Sequence, residues 1–355
     1  MMSTNLLADD LNSIIHQTAP LWEALRNQRL FITGGTGFFG CWLLESFVLA
    51  NQAFNLQAHA VVLTRNKQKF SEKCPHLYRN PALSFQEGDC RDFTYPKGTF
   101  SHIIHAATDA SVEINLNQPL VMLDSIIQGT KQTLEFAKRC GAKRFLLTSS
   151  GAVYGKQPYN ISHLPEDHPC QILTTHPAAA YSIGKCAAEQ MSCQYGVQNG
   201  FEVKIARCFA FIGPHLPLNK HYAIGNFIRD SLQGQPIVIQ GDGTPYRSYL
   251  YASDLTVALW TILFNGQALR PYNVGSDQAY SISEVAKMVA NRFSPTPTII
   301  QKKLPMTGML PERYVPNVTR GKNELQLTQH VTLEAAIDLT KRWHIRTQQT
   351  KSMVA

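Results

Sequence analysis

The sequence predicts an α/β protein, a doubly wound parallel sheet carrying a smaller mixed α/β lobe. Three features lead there. Short apolar runs of strand character alternate with longer helical stretches as far as about residue 207. A glycine cluster joins the first of these runs to the first long helix. Beyond residue 207 the alternation gives way to proline- and glycine-rich chain between separate helices.

Residues 1–27 form an N-terminal arm with two helical candidates, at 10–15 and 20–25, whose apolar residues need either the body of the protein or another subunit to cover them. Leu30-Phe31-Ile32-Thr33 is the first strand, and Gly34-Gly35-Thr36-Gly37-Phe38-Phe39-Gly40 turns from it into a helix that begins near Cys41. Further strands are expected at 58–64, 83–89, 101–107, 144–150 and 202–207, with long helices at about 119–140 and 178–199. Strands that alternate with helices in this way pair in parallel, with helices on both faces and ligands at the carboxyl ends of the strands. This Rossmann-type unit is expected over 28–207, with 251–276 returning to it. The smaller lobe is expected from 208–250 and 277–345, including helices at 282–293 and 333–343.

Composition narrows the class. At 355 residues, 44% hydrophobic and 16% charged, the chain can build a substantial core. The longest apolar stretch, Leu255 to Phe264, is too short to span a bilayer, and Asp9 and Asp10 stand where a secretory signal would be basic and then apolar. A cytoplasmic protein without a membrane partner is expected. Net charge is +8, yet no dense basic run or aromatic-basic interleaving marks a nucleic-acid surface; some of the arginines instead suit anionic ligands. The eight cysteines show no paired C-x-x-C spacing, so reduced thiols and no metal centre are expected.

The chemistry concentrates in three places. Gly34, Gly37 and Gly40, spaced G-x-x-G-x-x-G after a strand and before a helix, allow backbone amides and a helix N-terminus to approach a dinucleotide diphosphate. Tyr181 and Lys185 stand four residues apart, so on a helix the phenol and ammonium share a face. A phenol becomes a usable base near neutrality only where a cation favours the phenolate, and Lys185 supplies one. By itself this pair also fits a surface helix. Ser150 ends the fifth strand over the crevice that the glycine turn faces, where its hydroxyl can hold a substrate oxygen; it also suits a simple turn into Gly151.

Taken in order, these motifs resemble the extended short-chain dehydrogenase/reductase superfamily, and within it the NAD-dependent epimerase/dehydratase family that modifies nucleotide sugars. The resemblance spans about residues 28–345 and is carried by Thr33 to Gly40, Gly88 to Asp92, His105-Ala106-Ala107, Thr148 to Gly155 and Tyr181 with Lys185. It continues through Gly241 to Asp254 and Tyr272-Asn273-Val274-Gly275. It implies that Ser150 and Tyr181 bind the reacting oxygen, while Lys185 lowers the tyrosine pKa and meets the nicotinamide ribose. The cofactor would lie on Gly34, Thr36, Gly37, Phe38, Phe39, Gly40, Thr64, Arg65, Asp89, Cys90, Ala106 and Ala107, with Asp89 at the adenine amine. Arg247 matches an arginine that meets the substrate diphosphate. Arg313 and Asn226 fit further substrate contacts, although each also fits a structural role. Homodimers through the two long helices are common in the family, so a homodimer is expected.

The chain departs from the family pattern at three points. Dehydratases carry an acid-base pair where this chain has Gly151 and Ala152; the decarboxylase has a glutamate and the 3,5-epimerase-reductase a cysteine where Ala152 stands. What remains is hydride transfer at carbon 4 of a nucleoside-diphosphate sugar, as a 4-epimerase or 4-keto reductase. The alternatives are a 4,6-dehydratase with a non-standard acid or base, and a non-catalytic dinucleotide sensor. Ala210 replaces a family asparagine, removing one side-chain contact to substrate. Finally, the second strand ends Thr64-Arg65-Asn66-Lys67, without the acid that holds the adenosine ribose in NAD-specific sites. Arg65 can pair with a 2'-phosphate, which favours NADP. Arg65→Ala should therefore weaken NADPH by a few kcal/mol, about the worth of a charge-assisted contact, and leave NADH little changed. Equal effects on both cofactors in a binding titration would contradict this.

Overall fold

The computed structural model describes residues 6–108, 112–220 and 222–354. Seven parallel strands form the main sheet: β1 (Arg29–Thr33), β2 (His59–Thr64), β3 (Leu83–Glu87), β4 (His102–His105), β5 (Arg144–Ser150), β6 (Glu202–Cys208) and β7 (Pro271–Val274). Their order across the sheet is 7-6-5-4-1-2-3. The chain therefore reverses direction between β1 and β4, and the crevice at such a reversal is where open α/β sheets bind ligands.

Both faces of the sheet are covered, and the strand sequences show why. In β1, Leu30 and Ile32 pack into one core while Phe31 packs into the other; Val62 and Val61 divide in the same way in β2. Successive side chains of a strand point to opposite faces, so a strand buried on both reads as a continuous apolar run. The first core lies under α1 (Ala8–Thr18), α2 (Phe38–Ala53) and α5 (Ala252–Asn265) and includes Trp22, Phe47 and Trp260. The second lies under α3 (Pro119–Cys140) and α4 (Ala180–Asn199), around Phe31, Phe136 and Ala188.

The body of the chain covers the arm. Trp22 is fully buried with its ring centroid 4.8 Å from that of Trp260, and its indole N–H donates to the Thr18 hydroxyl at 2.9 Å. The Tyr251 phenol donates to Asp10 at 2.7 Å; burial of the Asp10 carboxyl, with Asp9 adding to it, raises it above its ordinary range against that hydrogen bond. Residues 1–5 of the expected arm lie outside the described residues.

Element ends differ from the sequence reading where periodicity stops being informative. β4 ends at His105, because Ala106 and Ala107 leave the sheet to meet the glycine turn. The terminal helix continues from Leu333 to Val354, past its last apolar turn at Trp343; helix-favouring Arg346, Gln348 and Gln349 extend it.

The remaining chain builds a further core from Ile224, Phe227, Ile237, Val285, Val289 and Ile337. It is organised by helices Ala223–Leu232 and Ile282–Ala290; Ser281 and Glu284 form a reciprocal capping box at the start of the second. A small three-stranded sheet pairs Tyr246–Arg247 with both Tyr280–Ser281 and Arg313–Tyr314. No helix among the described residues is long and apolar enough to cross a membrane.

Candidate active site

The site begins where β1 ends. Gly34 has φ +71°, and a Cβ on it would lie 2.5 Å from the Ala106 carbonyl and 2.6 Å from the Ala107 nitrogen. The turn thus lies directly on the end of β4, an approach that only glycine permits. At Gly40 a Cβ would lie 2.2 Å from the Gly35 carbonyl carbon, so this helical residue too is held to glycine by backbone contact. Gly37 differs: its φ is ordinary, and it serves as the residue that starts α2. No side chain caps that helix and its first turn has no acid, so Phe38 and the residues beside it present free amide donors and the positive end of a 16-residue dipole. This is the local structure that a dinucleotide diphosphate requires, and the residues present fit one.

A buried polar chain supports the turn. The Thr33 hydroxyl accepts from the Ala107 amide at 3.2 Å and lies 2.8 Å from Nδ1 of His105, whose Nε2 is 3.2 Å from the Thr130 hydroxyl. Burial, with the Lys185 cation adding to it, pushes the His105 imidazole down to about 3, so this ring is neutral and structural. The rest of the expected cofactor surface follows the sheet. Thr64 is buried at the end of β2, its hydroxyl 3.4 Å from that of Thr36; Arg65 beside it is exposed. Asp89 follows β3 and is held by Arg91, which donates to it at 2.8 Å and keeps the carboxyl below its ordinary range. Cys90 packs against Gly129 of α3, where its Sγ would lie 2.8 Å from a Cβ.

Ser150, at the end of β5, accepts from the Ala152 amide at 3.1 Å, which leaves its own O–H free to donate. Two phenols interact with that hydroxyl: Tyr181 from α4, and Tyr314 from the small sheet. The groups that act on the Tyr181 phenol are Ser150, Tyr222 and Cys208, none of them a carboxylate. Burial pushes Tyr181 up to about 12 and the Ser150 contact opposes it; Lys185 is not among its electrostatic neighbours. Lys185 Nζ lies 5.9 Å from the Tyr181 ring centroid and donates instead to the Thr108 hydroxyl at 2.7 Å and the Thr148 carbonyl at 2.9 Å. The helical pair therefore shares a face, but in the chain alone burial and not Lys185 sets the phenol. Lys185 is itself buried, which lowers its ammonium to about 8, so it remains mostly charged at neutrality.

The structure explains the glycine at 151. A Cβ there would lie 2.7 Å from the Tyr314 hydroxyl, and 2.6 Å from Cζ of Phe209. The volume next to Ser150 is already filled by two aromatic rings, stacked at a tilt with centroids 4.7 Å apart. A side chain at 151 could enter only by displacing both. Sequence reasoning did not identify Tyr314, although its neighbour Arg313 was singled out; the signal was a second aromatic beside an arginine, in a strand of only two residues. It also missed Thr108 and Asn115, whose Oδ1 accepts from the Tyr181 amide at 3.0 Å at the start of α4.

Of the expected substrate residues, two come together. Arg247 and Tyr314 are register partners in the small sheet, as are Tyr246 and Arg313, and the Arg313 guanidinium lies 4.3 Å over the Tyr246 ring. Neither arginine has a carboxylate partner among the described residues; Arg247 donates to its neighbour's carbonyl at 2.8 Å. Asn226 lies on helix Ala223–Leu232, where it accepts from Arg229 at 3.0 Å. Ala210 turns its backbone to the Leu250 amide. Two other motif residues prove to be braces: the Tyr154 phenol donates to Asn273 at 2.7 Å and accepts from Arg207 at 3.0 Å, while Arg207 pairs with Glu189 at 2.8 Å.

Tyr181→Phe should keep the fold and cofactor binding while turnover falls by about 100- to 10,000-fold, the usual worth of a placed acid or base. Tyr314→Phe should cost roughly tenfold, the loss of one hydrogen bond to Ser150. Wild-type turnover in both folded variants would contradict the assignment.

A profile of the NAD dependent epimerase/dehydratase family matches residues 30–275. UDP-glucuronic acid decarboxylase 1 of Arabidopsis thaliana is 28% identical over 324 residues, covering 90% of this chain and 70% of that protein. Among solved structures, an epimerase from Methanothermobacter thermautotrophicus superimposes with a TM-score of 0.79 at 20% identity, covering 95% of this chain and 97% of the other. UDP-glucose 4-epimerase from Thermotoga maritima gives 0.75 at 21% identity, over 90% of this chain and 99% of that one. The dTDP-glucose 4,6-dehydratase DesIV of Streptomyces venezuelae, with NAD bound, gives 0.76 at 22% identity, over 90% and 98%. With the uncapped glycine turn, the switch-point crevice and the Ser150, Tyr181 and Lys185 grouping, the profile match establishes that this chain belongs to the NAD dependent epimerase/dehydratase family of enzymes.

Proposed function

We propose that the chain transfers hydride at carbon 4 of a nucleoside-diphosphate sugar, as a 4-epimerase or 4-keto reductase using NAD(P). The observation that carries this reading is the filled space at Gly151. Where an acid-base pair would be needed to move a carbon-bound proton, the chain has no ionisable side chain, and Phe209 and Tyr314 fill the space a side chain at 151 would take. The groups that remain around Ser150 move only hydroxyl protons.

The nicotinamide supplies the hydride acceptor or donor. The chain's own groups do the rest. Ser150 donates to the reacting oxygen, and Tyr181 exchanges the proton of that hydroxyl. Lys185, mostly charged at neutrality and held by Thr108 and Thr148 on the helix face it shares with Tyr181, meets the ribose side of the cofactor. Arg247 and Arg313, both half-buried and without carboxylate partners among the described residues, suit a diphosphate. The names of the relatives support the substrate class: UDP-glucuronic acid for the curated proteins, UDP-glucose and dTDP-glucose for the solved ones.

NAD is supported by the solved relatives that carry it, and the preference for NADP rests on Arg65 alone, exposed at the end of β2. The same reading carries a cytoplasmic homodimer packed through α3 and α4, on which Leu120, Val121 and Val197 stand exposed.

A second reading has its own support, since the curated relatives are UDP-glucuronic acid decarboxylases and DesIV is a 4,6-dehydratase. Decarboxylation or dehydration also begins by oxidising carbon 4, then makes or breaks a C–H bond next to the ketone with solvent protons. Turnover in heavy water separates the two. With a panel of UDP- and dTDP-linked sugars, including UDP-glucuronic acid, the product should carry no deuterium at ring carbons 3 and 5 or at carbon 6. Enzyme-dependent deuterium at any of these would replace the first reading with the second.

A further inference from the structure

Around the first turn of α2 the fold brings together three residues that the chemistry above does not use. Cys41 lies in the first turn of α2, and Cys74 joins the short helices Lys67–Lys73 and Pro75–Tyr78. His215 lies in the loop after the strand Phe211–Ile212. The two Sγ atoms and a ring nitrogen of His215 all lie within 4.8 Å of one another. Cys41, Cys74 and His215 are 0%, 1% and 9% exposed, so the cluster is shut off from bulk water.

His215 supplies the second, independent observation. Both of its ring nitrogens are buried and neither has a hydrogen-bond partner among the described residues. A buried imidazole normally satisfies at least one nitrogen, because leaving both unmet costs the desolvation of each. Its backbone has φ +70°, in the left-handed region that non-glycine residues seldom enter, and the loop is pinned there by Trp42, whose indole N–H donates to the Pro214 carbonyl at 2.9 Å. The ring packs against Trp343 with centroids 4.9 Å apart. A neutral imidazole offers one lone pair and one N–H, and here the lone pair faces no donor among the described residues.

We infer that Cys41, Cys74 and His215 bind a divalent metal ion of the zinc type. Two thiolates and one imidazole are the soft and borderline donors such an ion selects. Zinc bond lengths of about 2.3 Å to sulfur and about 2.0 Å to nitrogen place the donors of one tetrahedron roughly 3.5–3.9 Å apart, so the cluster has only to contract by about 1 Å. Binding releases two thiol protons, and the two thiolate charges balance the ion. The Lys73 ammonium, which donates to Cys41 Sγ at 3.4 Å and to the Thr36 carbonyl at 3.1 Å, remains as an outer donor to a thiolate. Three protein donors leave one tetrahedral position for a non-protein ligand. The ion ties the first turn of α2, which carries the cofactor-facing amides, to the loop that leads into the smaller lobe. It is independent of the reaction proposed above.

The test uses the full chain, purified under reducing conditions. Zinc should be retained through dialysis at about one ion per chain, measured by mass spectrometry of the metal. Cobalt added to metal-free protein should give a near-ultraviolet thiolate-to-cobalt absorption that one equivalent of zinc abolishes. Cys74→Ser and His215→Ala should each lose both signals, whereas Cys170→Ser, at an exposed and remote thiol, should keep them. The cobalt titration of the unaltered chain needs no variant to fold. Absence of the cobalt absorption in fully reduced protein would overturn the inference. So would equal zinc retention by all the variants, or a Cys41–Cys74 disulfide as the state of the protein as isolated.

Discussion

The contact of Gly34 with the end of β4 sets the geometry of everything around it. A backbone turn can rest on another backbone this closely only without a Cβ, and here a Cβ would fall 2.5 Å from the Ala106 carbonyl. Because β1 and β4 are neighbours at the reversal of the sheet, this contact fixes the floor of the crevice and aims the start of α2 along it. The same strand end carries His105, kept neutral by burial and tied to Thr33, so the floor is held by a polar chain that does not titrate near neutrality. Lys185 reaches this floor from α4 through Thr108 and Thr148. The glycine turn and α4 are thus linked through residues at the ends of β4 and β5.

The smaller lobe contributes what the sheet lacks. Its little sheet places Arg247 beside Tyr314, and Tyr314 with Phe209 fills the space next to Ser150. Phe209 and Tyr314 leave no room for a side chain at 151, and the proposed reaction is the one that needs none there. The phenol of Tyr181 pays for its burial by being a poor base on its own, pushed up to about 12.

Much of this was legible in the residues. The strands that are buried on both faces read as apolar runs, and β5 has the bounds its sequence implies, Arg144 to Ser150. Chain order identified the parallel sheet because strand-helix alternation has few topological solutions. The helical spacing of Tyr181 and Lys185 gave their shared face but not the direction of the phenol pKa, which depends on burial that spacing does not carry. Tyr314 was hidden for a related reason. It belongs to a two-residue strand whose partners, Tyr246–Arg247 and through them Tyr280–Ser281, lie far away in the chain. Long-range pairing of such short segments leaves no periodicity to read. The same holds for Cys41, Cys74 and His215, which three separate elements bring together.

The central claim is hydride transfer at carbon 4, and a labelled sugar tests it most directly. UDP- and dTDP-linked sugars carrying deuterium at carbon 4 are mixed with enzyme saturated with oxidised cofactor, and the nicotinamide is followed by absorbance and mass spectrometry. The account predicts that one of them reduces the cofactor, more slowly than its unlabelled counterpart, with deuterium appearing on the nicotinamide ring. A sugar that is converted at the same rate with or without the carbon 4 label, with no reduced or deuterated nicotinamide found on rapid quenching during turnover, would contradict it.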